Sequence, residues 1–473
     1  MAIQSANFNA GSYVKAGSKR VITCTSNAIS SNFKYRFYLE LLYDGKTYAY
    51  TFRPNANGFG LINIGKILQS IVEPISVQQV LTIPDADNTI QTNSFQQNIH
   101  SMPHIINDNT TDRYAYLSTG GSSAKRIKAK LWDFYSPTAD GVPARQGSSV
   151  EDYYYIIGGY QTSTGLNSET YDLYKLDSIL SKRFISPLQG KFVVGITEAY
   201  KVDLSDFGTI SILNRTADVN TTAGTYKFRV TYYDSSNSAL AVQYFENHAG
   251  YGGYYDNGGV TDDSMVITFG CFPANLNRLP ATYSRPSDHP TLSHYVVNTS
   301  DSSNTNSSIF YKFDVIDRCK KYDAQRFAYI NSFGVWEYIT FSKRRTDEIG
   351  KKTTEIKSSV FDYSKSYSTI SPIEYRENTY VPGVAHQSRK IVASDSVASF
   401  TINTGYLEDY EIARVKEMFL SPNINYINTD GTALAVILTN RSIEAVEVSH
   451  KNEQTEYALT FEYSVPKYND IIF

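Results

Sequence analysis

Hydrophobic and polar residues alternate along many short segments of this chain, a pattern typical of β-strands with one buried face. The clearest case is FKYRFYLEL at 33–41. One face of this segment carries four apolar side chains, Phe33, Tyr35, Phe37 and Leu39. An Asp-Gly pair at 44–45 predicts a hairpin turn, and a second strand follows at 47–53.

A corner and an amphipathic segment follow this hairpin. Proline and glycine at 54–58 break the strand ladder, because proline lacks an amide donor and glycine tolerates tight corners. Residues 61–72 carry apolar side chains at helical spacing. Together with a strand at 20–25, these elements predict an N-terminal Ig-like β-sandwich over residues 1–100 with a short capping helix.

The central part of the chain repeats the same pattern. Strands are predicted at 126–135, 225–233, 309–317, 326–342 and 353–362, separated by loops rich in Asn, Ser, Gly and Asp. Residues 101–385 are therefore predicted to form a β-rich region of one or two domains. A motif of alternating aromatic and basic residues occurs in strands at 33–37 and 226–230, with a related form at 311–315. Repeated modules and chance similarity both remain open as explanations.

The C-terminal part, 386–473, predicts a strand-helix-strand domain. In YLEDYEIARVKEMFLSP, acidic residues come first and basic residues follow, as the helix dipole favours. Ile412, Val415 and Phe419 share one face of the predicted helix, and Pro422 marks its end. A Thr-Asp-Gly turn at 429–431 then leads into further strands.

Composition supports an all-β fold built of several β-sandwich or Ig-like modules, with a short C-terminal helix packed on a sheet. The 473 residues include 39 Tyr and 24 Phe but only 2 Trp. Tyrosine suits half-buried strands and wet interfaces, so the composition favours a protein rich in interfaces. The candidate interface residues are Tyr35, Phe37, Tyr226, Phe228, Trp336, Ile412, Val415 and Phe419.

The net charge and the lack of recognisable targeting patterns restrict the functions that the sequence predicts. The net charge of −3 argues against nucleic-acid binding as the main activity, and no sequence-specific recognition is predicted. The N-terminal residues lack the pattern of a secretory signal, and no window has the apolar length of a membrane span. The sequence therefore predicts a protein made in a cytoplasm, without a membrane span.

No catalytic motif is recognisable. The chain lacks GxSxG, GxxxxGK[ST], HExxH and a GxGxxG after a strand. Its three cysteines fit neither a disulfide framework nor a zinc knuckle, and buried thiols are expected. We therefore predict a protein that is not an enzyme, with no cofactor and no metal site.

Several weaker signals have structural alternatives. His100 and His104 form a loose pair, for which solvated loop histidines are favoured over metal ligands. The pair Asp262-Asp263, and Asp108 with Asp112, are expected to be turn acids. Two basic runs at 343–345 and 351–352 are expected at a solvated hairpin tip, with a phosphate or acidic partner as the alternative. Phe333 and Trp336 are expected to pack in a core or interface, with sugar stacking as the alternative.

Three segments resemble structural proteins of tailed bacteriophages, particularly those infecting Bacteroidota. FKYRFYLELLYDG, followed by RPNANGFGLINIGKIL, is similar to their N-terminal β-domain, with the pattern G-hydrophobic-x-[ND]-I-x-[KR]-I. RFAYINSFGVWEYITFSKR resembles their aromatic hairpin. The order of elements from IARVKEMFLS to YALTFEYSVP is similar to the ring domain of distal-tail and baseplate-hub proteins.

This resemblance implies a virion protein of the tail, made in the host bacterial cytoplasm. It implies a homo-oligomeric ring with head-to-tail interfaces that joins other phage tail, portal or fibre proteins, such as a baseplate. The long middle departs from the distal-tail pattern. A receptor- or glycan-binding tail module is the first alternative, with Tyr-rich loops such as 251–259 stacking sugars. A polysaccharide hydrolase built on β-structure is the second.

Overall fold

The structure is a computed structural model in which the chain is mainly β. It describes residues 3–8, 13–15, 20–43, 45–71, 79–80, 97–101, 105–107, 124–157, 199–213, 227–246, 266–300, 310–318, 321–331, 334–357, 361–368, 375–382, 389–407, 409–442 and 456–464. Within these residues it has seven sheets and three α-helices, so the predicted all-β class is confirmed.

The elements are numbered along the chain. Up to residue 107 they are β1 (Ile3–Asn7), β2 (Tyr13–Lys15), β3 (Val21–Ser26), β4 (Phe33–Tyr43), β5 (Lys46–Phe52), β6 (Gly60–Asn63), α1 (Gly65–Ile71), β7 (Gln79–Val80), β8 (Gln97–Asn98) and β9 (Ile105–Asn107). The next group is β10 (Ala124–Ser136), β11 (Ala144–Ile157), β12 (Tyr200–Val202), β13 (Ile210–Leu213), β14 (Lys227–Tyr233), β15 (Ala239–Glu246), β16 (Val266–Phe269), α2 (Pro273–Asn277), β17 (His294–Ser300) and β18 (Tyr311–Val315). The last group is β19 (Gln325–Ile330), β20 (Trp336–Phe341), β21 (Arg345–Lys357), β22 (Phe361–Ser368), β23 (Tyr375–Pro382), β24 (Arg389–Asn403), α3 (Asp409–Leu420), β25 (Ile424–Ile427), β26 (Ala433–Leu438) and β27 (Ala458–Tyr463).

Two sheets and helix α1 enclose the N-terminal core. The strand orders are β1-β3-β6 and β2-β11-β10-β4-β5. Alternation in β4 places Phe37, Leu39 and Leu41 inside, where each is fully buried. The predicted hairpin is present, since Tyr43 pairs with Lys46 across a two-residue turn and Gly45 has a φ of +69°. We call the five-stranded member of this pair the N-terminal sheet.

The N-terminal core extends well beyond residue 100. Strand β10 pairs with β4 and with β11, and its residues Ile127, Ala129 and Leu131 are buried in the same core as Phe37. The predicted boundary at residue 100 therefore falls inside the stretch of chain that builds this core. Alternation identifies a strand, but it does not say that its partner lies about ninety residues later.

The segment predicted as one amphipathic helix at 61–72 divides into a strand and a helix. Residues 60–63 form β6 and pair with β3, and helix α1 begins at Gly65. The side-chain oxygen of Asn63 accepts hydrogen bonds from the backbone N–H groups of Gly65 and Arg20, each at 3.1 Å. The side chain that starts the helix therefore also holds the adjacent loop.

The second core lies under three sheets. Strands β12-β18-β17-β14-β15 form one sheet and β13-β16-β9 another. Their buried faces share a core with Ile330, Trp336 and Tyr338 from the hairpin of β19 and β20. The short segment 97–101 joins this core through Ile99, which is fully buried.

A seven-stranded sheet, here the large sheet, completes the fold with the order β20-β19-β25-β26-β27-β24-β21. Its other face carries a third core, to which α3 contributes Ile412, Val415 and Met418. The helix predicted from the acid-to-base pattern is thus confirmed, with Met418 buried where Phe419 was expected and Phe419 half-buried. Because the large sheet combines strands from 325–357 and 389–463, the predicted boundary at residue 385 falls between paired strands.

A substitution at Gly60 tests the packing of the N-terminal core. A Cβ atom at this position would lie 2.5 Å from both Cys24 Sγ and the Phe37 ring. We expect Gly60→Ala to lower the free energy of unfolding by about 1–3 kcal/mol through overpacking. In chemical denaturation, Leu61→Ala is the control, because Leu61 is 51% exposed and its truncation should change stability by only about 0.5 kcal/mol. Equal stability of Gly60→Ala and the unaltered chain would contradict this packing.

Candidate functional site

The interface candidates from the sequence lie mostly inside the chain. Five of them are buried, namely Phe37, Phe228, Trp336, Ile412 and Val415. Tyr35 and Phe419 are half-buried, and Tyr226 lies outside the described residues. Because alternation marks the buried face of a strand and an interface face alike, the sequence pattern selected core residues. Candidate surfaces have to be found elsewhere.

Tyr35 shows how these aromatic side chains are used. Its hydroxyl donates to the carboxylate of buried Asp133, and its ring stacks on Tyr135 at 5.9 Å between centroids. Burial and this hydrogen bond raise the pKa of Tyr35 above its ordinary value. Tyr35 therefore packs against the N-terminal core.

His100 is a buried structural residue, which corrects the expectation of a solvated loop histidine. Its Nδ1 atom lies 2.9 Å from the hydroxyl of Tyr338, and its Nε2 atom lies 3.3 Å from the amide nitrogen of Asn425. Its ring meets Trp336 edge to face at 4.7 Å. Burial, with a smaller contribution from Arg326, lowers the pKa of His100 to about 3. The imidazole is therefore neutral at physiological pH.

Arg326 forms a second buried polar junction. Asp206 accepts from Arg318 at 2.6 Å and lies 3.4 Å from Arg326. The Arg326 guanidinium donates to Thr340 at 2.6 Å and lies over the Phe272 ring at 4.7 Å. Burial alone would raise the pKa of Asp206, but the two arginines together lower it below its ordinary value. This is a charged cluster held by paired partners.

A third junction attaches helix α3 to the rest of the chain. The Tyr200 hydroxyl donates to the Glu337 carboxylate, and Arg414 lies 4.0 Å from the same oxygen. The Arg414 guanidinium also lies 5.1 Å from the centre of the Tyr200 ring. Strands β12 and β20 are thereby joined to α3 through buried side chains.

These junctions are internal, so they connect segments of the fold rather than form an open site. None of them follows from a local motif, since their members come from segments far apart in the sequence. Within the described ranges, no group of three or more His, Cys, Asp or Glu side chains has the geometry to hold a metal ion. His104, Asp108, Asp112, Asp262, Asp263, Phe333 and the loop 251–259 lie outside the described residues.

The two basic runs lie in or just before a strand rather than at a hairpin tip. Arg345 begins β21, and its guanidinium lies 4.1 Å over the Phe400 ring and donates to Asp347 at 2.8 Å. Lys351 and Lys352 lie further along β21, where Lys352 pairs across the ladder with Asp395. The basic runs therefore lie at the base and along the edge of the long hairpin of β21 and β24, and not at the solvated hairpin tip that the sequence predicts.

The outer face of the N-terminal sheet carries an aromatic cluster topped by an arginine. Tyr38 and Phe134 stack at 5.6 Å, and Trp132 meets Tyr38 edge-on at 6.0 Å. Arg145 lies 5.3 Å from the ring centres of Tyr38 and Trp132 and donates to Glu40 at 2.6 Å. Tyr, Trp and Arg are the residue types enriched in interface hot spots, so this face is a candidate interaction surface.

Phe134 also lies between two arginines in a single cross-strand row. It pairs with Arg36 of β4 on one side and with Arg145 of β11 on the other. We call Arg36, Phe134 and Arg145 the arginine row. Because strands lie about 4.8 Å apart, the backbones at the two arginines are about 10 Å apart.

A matching acidic row lies on the large sheet. Glu348 of β21 pairs with Ser399 of β24, and Ser399 pairs with Glu462 of β27. We call these three residues the glutamate row, and Ile437 of β26 continues it with 54% of its side chain exposed. Neither glutamate forms an ion pair with any residue the structure describes.

A two-stranded ribbon extends from the edge of the large sheet. Strand β24 pairs with β27 only at residues 399–403, but it pairs with β21 over thirteen positions out to Arg389. Strands β22 and β23, which lie between β21 and β24 in the sequence, pair with each other as a further hairpin. We call residues 350–357, 361–368, 375–382 and 389–397 the ribbon. Ile349 at its base is 83% exposed and Ile391 along it is 50% exposed.

Comparison with known proteins adds no family assignment, since no family model matches the chain and no curated protein is similar to it. Among the helices of the described residues, none has the length and apolar character needed to cross a membrane.

The neutral state of His100 predicts a pH dependence of stability. The unfolded chain takes up a proton at this histidine below its ordinary pKa of 6.5, whereas the folded chain does so only near 3. Protonation therefore favours unfolding as the pH falls through this window, and has no effect above it. We expect this histidine to reduce the free energy of unfolding by about 2 kcal/mol between pH 7 and pH 5.

Urea denaturation of the unaltered protein and of His100→Gln at both pH values measures this effect. Glutamine keeps an amide donor and acceptor but does not titrate, so the variant should be less stable at pH 7 and should lose the stated pH dependence. Burial also lowers the pKa of His294, but this contribution is common to both proteins and cancels in the difference. Equal pH dependence in both proteins would show that His100 is not a buried neutral residue.

Proposed function

We propose that this chain is a structural subunit of a bacteriophage tail, in which copies assemble into a ring that joins tail or portal components to fibres or a baseplate. The observation that carries this proposal is the ribbon. An isolated two-stranded hairpin is at best marginally stable in water, and three or more strands or a packed face are normally needed. A long ribbon therefore gains from a neighbouring chain that covers it.

The open edges of the ribbon support the same function. Beyond residues 349 and 398, no described strand pairs with the outer edge of β21 or of β24. Free edges accept another strand by β-augmentation. An irregular register at Thr354 and Glu355 limits unspecific pairing, which is one way in which native edge strands avoid aggregation.

The three buried junctions favour an assembly role over a chemical one. Their charged and polar groups contact one another inside the cores, and their partners span the central and C-terminal parts of the chain. A body cross-linked in this way offers rigid faces at its surface, and rigid faces lower the cost of ordering an interface. The resemblance of three segments to phage structural proteins supplies the tail context.

Removing the ribbon tests this function. Ile349 and Ala398 face each other across the ladder, so an Asn-Gly turn can join them in place of residues 350–397. We expect the full chain to form closed rings, alone or with a tail partner, and the shortened chain to stay monomeric with a nearly unchanged melting temperature. Light scattering gives the mass, and negative-stain images show the shape.

A point substitution provides a milder version of the test. Ile349→Ser should lower the assembled fraction, because an apolar side chain that is 83% exposed is expected to be covered in the assembly. Val142→Ser is the matched control, since Val142 is 87% exposed in the turn between β10 and β11. A full chain that stays monomeric with tail partners, and that binds host glycans, would contradict the ring and favour the receptor-binding module.

A further inference from the structure

We propose that the arginine row of one copy docks on the glutamate row of the next copy, forming the head-to-tail contact of the ring. This inference rests on the proposed function and deepens it, because it names the two surfaces that meet. Both rows lie on sheet faces that no described element covers. They belong to different sheets, so their contact is heterologous, which is the type of interface that generates rings.

The charges of the two faces are complementary. Among the side chains that the structure describes, the outer face of the N-terminal sheet carries four cations, Arg36, Lys128, Lys130 and Arg145, against two carboxylates, Glu40 and Glu151. Both carboxylates are already paired, Glu40 with Arg145 at 2.6 Å and Glu151 with Lys128 at 2.6 Å. The hydrogen bond from Lys128 contributes most to lowering the pKa of Glu151 to about 2, so this acid stays ionised.

The glutamate row has the opposite sign and no internal compensation. It contains two carboxylates and no cation, and the next row on the same face is neutral, with Thr346, Thr401 and Thr460 in register. The hydroxyls of Thr401 and Thr460 lie 3.0 Å apart, which keeps this part of the face flat and polar. An acidic row beside a neutral threonine row suits a basic partner.

The spacing of the charges also matches. In each row the two charged residues are separated by one strand, so each pair of backbones is about 10 Å apart. The central residues are complementary in size, since Phe134 stands between the arginines and Ser399 between the glutamates. Antiparallel rows of this kind can form two Arg–carboxylate contacts at once while the phenyl ring covers the serine.

The arginine row is preorganised for binding. Arg145 is fixed by Glu40 and by the rings of Tyr38 and Trp132, so its remaining N–H groups keep a defined direction. Half of its side chain is exposed, at 51%. Arg36 is exposed and forms no ion pair with a described residue. The ring faces of Tyr38 and Trp132 are occupied by Arg145, which favours a protein partner over stacked bases or sugars.

A charge exchange tests the contact. The variants are Arg36→Glu, Glu348→Lys and Glu462→Lys, and the two double variants that combine Arg36→Glu with one of the lysine substitutions. Of the four charged positions in the two rows, only Arg145 is left unaltered, because its reversal would place a carboxylate beside buried Glu40 and disturb folding. Lys66→Glu is the control, because Lys66 is exposed on α1 and belongs to neither row.

We expect each one-sided variant to raise the concentration needed for assembly about tenfold, because like charges then face each other. The double variant whose lysine faces position 36 should recover most of the assembly, whereas the other double variant should stay impaired, and Lys66→Glu should behave as the unaltered chain. Circular dichroism melts confirm that all variants fold. Recovery in one double variant and not in the other is a result that a loss of folding cannot imitate.

Three results would overturn the inference in distinguishable ways. Rings that form equally well in every variant would reject this contact and leave the proposed ring function standing. A protein that does not assemble in any form would reject both. Binding of a fluorescein-labelled oligothymidine that Arg36→Glu abolishes, without any effect on assembly, would assign the arginine row to single-stranded nucleic acid instead.

Discussion

Strand β19 is buried on both of its faces, and the arrangement of the whole chain depends on this constraint. All six of its residues are buried. Phe327 and Tyr329 point to the third core, which α3 covers, whereas Ala328 and Ile330 point to the second core. One half of the large sheet is thereby fixed between two cores. The other half, from β26 to β21, has a covered face toward α3 and an open face on the other side.

This asymmetry explains where the polar groups go. Arg326 and Glu337 lie on strands with packed elements on both sides, so their charges have to be met by partners inside the protein. Asp206, Tyr200 and Arg414 provide those partners from distant segments. Removing one member would leave a buried charge without compensation. This change would lower the free energy of unfolding by more than the intact pair contributes to it. The junctions therefore specify how the segments meet.

The open half of the large sheet follows the opposite rule. Its outer face can carry glutamates, threonines and an exposed isoleucine because nothing in the described chain packs on it. The outer face of the N-terminal sheet is open in the same way, but it is aromatic and basic. A chain of net charge −3 with one basic and one acidic open sheet face has the features of a subunit with two different binding sides.

Much of this fold could be predicted from local patterns, and the candidate surfaces could not. Alternation located the hairpin of β4 and β5 and the strands of β19 and β20, and helical spacing with the order of charges located α3, because each depends on neighbouring residues. Pairing partners are set by the whole chain, so neither the place of β10 beside β4 nor the extent of the large sheet was predictable. His100 looked like a loop residue, since nothing nearby in sequence indicates Tyr338 or Asn425. Arg36 and Phe134 became a row only once the register of β4 and β10 was known.

The most direct measurement is a cryo-electron microscopy reconstruction of the assembled protein at a resolution that separates strands. We expect a closed ring in which the outer face of the N-terminal sheet of each copy contacts the open half of the large sheet of the next, and in which a neighbouring chain covers the ribbon. Single unassembled copies, or a ring in which both sheet faces and the ribbon remain in solvent, would contradict it.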